Sequence, residues 1–194
     1  MYSGGTTSED AASSKNRRFD DVAIGLHWIT LALLVAQFSS AWLLAIAHSG
    51  QAAGLLEFHR SLGLVIWLVT ACRFTWRKLF AYLPPFPDSM PALQQKIAKL
   101  NEYGLYAFLI VQPISGLAYT VFRGRPFPLF LFQVPPILPG DRGVAEFFHQ
   151  VHAIGATTLL LLIGVHVLAA LFHRFILKDE ILERMWPASV LRRR

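Results

Sequence analysis

The sequence predicts an all-α fold, an integral membrane four-helix bundle, and three observations predict it. Of the 194 residues, 54% are apolar and only 15% charged, with a mean hydropathy of +0.44, far from the balance of a soluble domain. The apolar residues gather into four stretches, each long enough to cross a hydrocarbon layer of about 30 Å, which takes about 20 helical residues. Alternation with a period of two is absent from these stretches and they exceed the length of a barrel strand, so helices are implied.

The first eighteen residues are polar and Ser/Gly-rich, without the apolar core of a signal peptide, and read as a disordered tail over 1–18. A single transmembrane domain over 19–187 follows, closed by a basic tail over 188–194. The first span, 22–47, carries no Lys, Arg, Asp or Glu. The second, 57–80, is charge-free only over 61–72, between Arg60 and Arg73. The third, 103–122, contains Pro113, which predicts a kink whose freed carbonyl a neighbouring helix must satisfy. The fourth, 147–173, is the longest, with a lipid-compatible middle, TTLLLLIGVHVLAAL. The connections are a short one at 48–56, a Pro-rich one (YLPPFPDSMPALQQKIAKL), and one containing FRGRPFPLFLFQVPPILPGDRG.

A net charge of +6 and a pI near 9.8 raise nucleic acid as a partner, but the charges sit between apolar segments and form no basic face on a soluble fold. They read as topology signals in a lipid bilayer. Four spans put both chain ends on one side, and fourteen of the eighteen Lys and Arg residues fall there; Arg60, Arg123, Arg125 and Arg142 fall on the other. The positive-inside rule then places both termini in the cytoplasm. The one cysteine, Cys72, excludes an internal disulfide, a CxxCH attachment and an iron–sulfur site made by this chain alone.

Five of the seven histidines lie within or at the ends of apolar segments: His27, His59, His152, His166 and His173. Ionisable side chains there are costly and line a bundle interior. One such histidine is explained by an interhelical hydrogen bond, but together they have a phase. His152 and His166, fourteen residues apart, sit on one helix face with about 40° of offset and about 21 Å of axial separation. His27 lies near the cytoplasmic end of the first span and His59 at the outer start of the second, so depth pairs His27 with His166 and His59 with His152. Zinc or di-iron sites need further ligands, and the spans offer no intramembrane carboxylate. A haem needs only two axial ligands from opposite helices, and bis-imidazole ligation points to electron transfer. Two b haems at different depths follow. Gly25, Gly63, Gly155 and Gly164, near the ligands, would let a macrocycle approach the backbone.

Phase also sorts the remaining candidates. His149 is about 100° off the shared face and reads as interfacial. His173 faces the bundle at the cytoplasmic boundary, as a propionate or quinone contact or as a solvated helix-end histidine. Arg73 lies fourteen residues after His59, on nearly the same face, where its planar fork suits an inner haem propionate or its stem snorkels to the boundary. Arg60 is placed to serve an outer propionate.

With these residues in place, the chain resembles the bacterial cytochrome b561 family, and more closely its small stand-alone members that act as superoxide:ubiquinone oxidoreductases. The resemblance rests on LHW at His27, FHRSLG at His59, the thirty-two-residue gap between them, CRFTWR, PISG at Pro113, FRGRPF, the HxxGx10H spacing of His152 and His166, and HRFILKDEILERMWP. It covers about residues 17–187 and implies the same four haem ligands, in a bacterial inner membrane. It implies superoxide oxidation at the outer face, with Arg123, Arg125 and Arg60 steering the anion, and ubiquinone reduction at the inner face. Arg123 and Arg125 as plain headgroup anchors are the alternative there. His173 is then a quinone contact by analogy, with Lys178 and Asp179 as neighbours, and the Pro/Phe-rich outer loop is expected to cover the outer haem. Competing readings are an electron-carrier subunit that links a partner dehydrogenase or hydrogenase to quinone, and a haem-free scaffold or transporter. The oligomeric state is left open.

Overall fold

A computed structural model describes residues 18–87 and 89–186. Apart from Arg18, the expected N-terminal tail lies outside the described residues, as does the expected basic tail. Four long helices follow in chain order: α1 (Asp21–Ile46), α2 (Ser49–Leu79), α3 (Ala92–Phe122) and α4 (Arg142–Phe172). All four are long and apolar enough to cross a membrane.

The helices outrun the spans that hydropathy marks. α2 begins at Ser49, so the connection expected over 48–56 shrinks to Ala47 and His48. α3 begins at Ala92, turning the second half of the Pro-rich connection into helix, and α4 begins at Arg142. Hydropathy reports the hydrocarbon portion, whereas a helix persists past it wherever no breaker intervenes. In the first turns of α3, Leu93, Ile97 and Leu100 are exposed while Asn101 is buried, the inverse of a soluble helix.

The helices pack α1 on α2, α2 on α3 and α3 on α4. The buried apolar centre is small: Ile66, Leu109 and Leu159, with Leu33, Leu34 and Phe38 among those packed against it. Trp42, Leu161 and Leu168 are each about two-thirds exposed or more (72%, 67% and 67%), as expected when the surrounding solvent is lipid. Polar groups instead occupy the interior, among them Thr70, Ser40, Gln112 and Ser115, and Asn101 donates to the Leu162 carbonyl at 3.1 Å, tying α3 to α4.

Asp20 caps α1 by accepting from Ala23 N–H and also accepts from the Trp76 indole at 2.9 Å, which pins the end of α2 to the start of α1. At the same end, Phe19 N–H donates to Arg184 O, Trp28 Nε1–H to Met185 O and Arg18 to Trp186 O. Both ends of the described chain therefore meet on one side, as four spans require.

The outer α3–α4 connection holds a hairpin that the helix-only expectation did not include. β1 (Phe127–Leu129) pairs antiparallel with β2 (Phe132–Val134), with Leu129 opposite Phe132. Phe130 takes a positive φ of 53° at the first turn position, where glycine is usual, and its N–H is held by Ser61 Oγ of α2 at 2.7 Å. α4 continues into one π-helical turn, His173–Leu177, ended by Lys178 in the left-handed region.

Candidate functional site

The four intramembrane histidines fall into two facing pairs. His27 of α1 and His166 of α4 have ring centroids 6.1 Å apart, and His59 of α2 and His152 of α4 have centroids 6.3 Å apart. Two imidazoles that bind one metal ion from opposite sides through bonds of about 2 Å stand with their centroids a little over 6 Å apart. Among the described residues no three of His, Cys, Asp or Glu converge on a point, so neither pair belongs to a closed protein-only metal site. Neither α1 with α4 nor α2 with α4 is among the closely packed helix pairs, so each histidine pair spans a parted seam. Two nitrogens across a parted seam suit a planar cofactor that brings its own equatorial ligands.

The outer pair is held by two matching brackets from the helices that do not carry it. On α1, Gln37 Nε2 donates to the His59 carbonyl and lies 3.2 Å from His59 Nε2, while Ser40 Oγ lies 2.9 Å from His59 Nδ1. On α3, Gln112 Nε2 donates to the His152 carbonyl at 2.9 Å, while Ser115 Oγ and the Gln112 carbonyl lie 3.1 and 3.0 Å from His152 Nδ1. Glycines make room for these contacts: a Cβ on Gly116 would stand 2.9 Å from His152 Cε1, and one on Gly155 would overlap Gln112 Oε1. Gly63 faces Gln37, whereas Gly25 and Gly164 have no neighbour within 4 Å of a would-be Cβ. Gly63 and Gly155 therefore admit polar side chains, a different use from the macrocycle approach expected of them.

At the inner pair, Arg73 NH2 donates to His27 Nδ1 at 3.0 Å and its guanidinium lies 5.5 Å from the Tyr106 ring centroid. Arg77 is paired with Glu102 at 2.6 Å, so it is not a free cation. His173 is buried (5% exposed) by the π turn; its Nδ1–H donates to Asp179 Oδ2, and its Nε2 accepts from Gln94 at 3.0 Å. Lys178 is exposed and contributes its backbone N–H to the His173 carbonyl. The structure thus joins His173 with Asp179, adds Gln94, and leaves the Lys178 side chain at the surface.

On the outer side, Arg60, Arg123 and Arg125 line one cavity of about 120 Å³ with Thr120, Pro126 and Phe127. The Arg60 guanidinium stacks 5.7 Å from the Phe127 centroid, and its buried Nε has no hydrogen-bond partner among the described residues. No carboxylate lines this cavity. His149 is exposed, ring to ring with Tyr119 at 4.9 Å and beside Glu146.

Residues 18–188 match the family model described as prokaryotic cytochrome b561. The chain belongs to the prokaryotic cytochrome b561 family. It is 30% identical to cytochrome b561 homolog 1 of Escherichia coli over 172 residues, 88% of this chain and 97% of that protein. It is 27% identical to a probable superoxide oxidase of Yersinia pestis over 172 residues, 89% of this chain and 97% of the relative. Cytochrome b561 homolog 2 of E. coli is also 27% identical, over 89% of this chain and 93% of its own length. This cytochrome is accordingly a membrane electron-transfer protein, and its family implies b-type haem.

In this b561 protein, sequence reasoning had not singled out Gln37, Ser40, Gln94, Gln112 or Ser115. A signal for four of them was present: amides and hydroxyls inside apolar spans, repeated as Gln-x-x-Ser in QFSS and QPIS, need partners in a membrane interior.

Proposed function

We propose that this cytochrome binds two b haems, one between His59 and His152 and one between His27 and His166, and carries electrons from superoxide at the outer face to ubiquinone at the cytoplasmic face. When bound, the haems would supply one-electron redox centres, held by His59 with His152 and by His27 with His166. Nδ1 of His59 and of His152 is taken by the bracket groups, leaving an unprotonated Nε2 at each ring; at His59 the Gln37 amide, 3.2 Å away, would have to give up that lone pair to the iron. At the inner pair, ligation through His27 Nε2 needs a proton on Nδ1, where Arg73 now donates. Arg73 must then find an anionic acceptor, and a propionate at that depth fits its fork.

The observation that carries the donor assignment is the cationic cavity beside His59. Arg60, Arg123 and Arg125 converge there with no acid, so a small anion is drawn to the outer seam. A relative named as a probable superoxide oxidase supports the same reading. Each superoxide gives up one electron and leaves as dioxygen; two electrons and two protons convert the quinone to quinol. His173 donates from Nδ1 to Asp179 at the inner boundary, and its Nε2, which accepts from Gln94, is the acceptor that a quinol hydroxyl would meet in place of the amide. The positive-inside bias, with both described chain ends on one side, supports cytoplasmic termini in the inner membrane.

Stopped-flow mixing of purified, haem-loaded protein with superoxide tests this. Fast reduction of the haem bands followed by reoxidation with ubiquinone is expected. Bands that superoxide leaves oxidised, in protein that a partner dehydrogenase reduces, would overturn the donor assignment in favour of an electron-carrier subunit.

A further inference from the structure

We infer that the two Gln-x-x-Ser brackets, Gln37/Ser40 on α1 and Gln112/Ser115 on α3, fix the tautomer of His59 and His152 and hold the outer haem site at a lower reduction potential than the inner one. The inference rests on the haem ligation proposed above. A serine hydroxyl has one proton to donate. Ser40 Oγ lies 2.7 Å from the Gln37 carbonyl and Ser115 Oγ lies 2.8 Å from the Gln112 carbonyl, and a carbonyl can only accept. Each hydroxyl proton is therefore spent within its own helix, and each Oγ faces its histidine as an acceptor. His59 Nδ1 and His152 Nδ1 must then be the donors, which leaves Nε2 of both rings unprotonated.

The same arrangement recurs on two different helices with the same residue types and spacing. In both brackets the glutamine amide donates to the backbone carbonyl of the histidine that the serine holds. Ser40 and Ser115 are each 2% exposed, so water does not replace either hydroxyl. His152 Nδ1 has a second acceptor in the Gln112 carbonyl at 3.0 Å.

Donation from Nδ1–H to an acceptor raises the electron density of the ring and its strength as a ligand. A stronger donor ligand favours the more positive, oxidised iron. The inner pair is surrounded differently: Arg73, a cation, lies 3.0 Å from His27 Nδ1, and a nearby positive charge favours the less positive, reduced iron. Arg60, Arg123 and Arg125 also carry charge on the outer side, but Arg123 and Arg125 are exposed and Arg60 is less deeply buried than Arg73, so solvent ions screen them more. The chain therefore biases an electron inward along α4.

Redox titration of the purified di-haem protein, followed in the haem bands, tests this. The wild type is expected to give two midpoints. Ser40→Ala is expected to raise the lower midpoint by a several-fold to tenfold change in the reduction equilibrium, up to about 59 mV for a one-electron couple, and Ser115→Ala to raise it by less, because His152 Nδ1 keeps the Gln112 carbonyl; both leave the upper midpoint in place. Ser40→Thr and Ser115→Thr, which keep the hydroxyl, are expected to restore the wild-type value. Unshifted lower midpoints in Ala variants that retain both haems would overturn the inference, as would Thr variants that behave like Ala. If an Ala variant loses the outer haem, the Thr variant still decides: a wild-type lower midpoint upholds the hydroxyl's role and an altered one refutes it. A wild type that binds fewer than two haems is a failure of the ligation reading itself, visible in the haem count before any potential is measured.

Discussion

His59 and His152 face each other with ring centroids 6.3 Å apart although their helices, α2 and α4, are not in close backbone contact. His27 and His166 repeat the relationship at 6.1 Å about 21 Å deeper along α4. On the proposed ligation each pair is a separate ligand set, and the two should fail separately. His152→Ala and His59→Ala are expected to lower the haem-to-protein ratio from two to one by removing the outer haem; His166→Ala and His27→Ala should remove the inner one. His149→Ala, whose ring stacks on Tyr119, should leave the ratio at two. Pyridine haemochrome measurements with redox-difference spectra distinguish these outcomes, and an outer haem lost with His149 but kept without His152 would refute the pairing.

The facing of the four histidines in two pairs was legible in the sequence because a helix fixes both the angle and the depth of each residue, and fourteen residues from His152 to His166 leave little freedom in either. What they touch was not legible. Whether Ser40 reaches His59 or lipid depends on the rotation and crossing of α1 against α2, which hydropathy does not encode. The early start of α3 was hidden because Gln94, Lys96 and Lys99 lower the apolar signal while leaving the helix intact. The hairpin was hidden because Phe130 occupies a turn position where Gly or Asn is the usual marker. His173 keeps the α register of α4, its N–H reaching the Ala169 carbonyl, but its partner Asp179 is brought back to it by the π turn and the left-handed Lys178, which periodicity does not encode.

Gly116 should be among the least replaceable small residues of the outer site. A Cβ there would lie 2.9 Å from His152 Cε1, and the ring is tethered through Nδ1 to Ser115 and to the Gln112 carbonyl. Overpacking of a tethered group typically costs about 1–3 kcal/mol. Gly116→Ala is expected to lower the thermal midpoint of the holoprotein and to weaken retention of the outer haem. Gly54→Ala, with no neighbour within 4 Å of the added Cβ, should not lower thermal stability.

The outer cavity predicts a rate that depends on ionic strength. Arg123 and Arg125 are exposed members of a cavity without acids, and long-range steering is reduced by salt. The double variant Arg123→Gln/Arg125→Gln is expected to slow haem reduction by superoxide about tenfold at low salt and to flatten the salt dependence. Its haem content and its reduction by dithionite should match the wild type. Stopped-flow rates across an ionic-strength series decide it, and an unchanged salt slope would return these arginines to the role of headgroup anchors.

Asp179 and His173 offer a separate handle on the other end of the electron path. Asp179 Oδ2 accepts from His173 Nδ1–H and its Oδ1 accepts from Ile181 N–H, so the carboxylate both orients the ring and anchors the turn after α4. In Asp179→Asn the amide nitrogen can face Nδ1 as a donor, which disfavours the tautomer in which Nε2 is the acceptor, now of Gln94. Proton positioning by such a histidine is commonly worth on the order of 100-fold in rate. Reoxidation of the pre-reduced protein by ubiquinone should slow by about that factor, while reduction by superoxide at the outer face stays at its wild-type rate. Equal slowing of both half-reactions would mean that the substitution perturbs the whole bundle. Unchanged reoxidation would place the quinone away from His173.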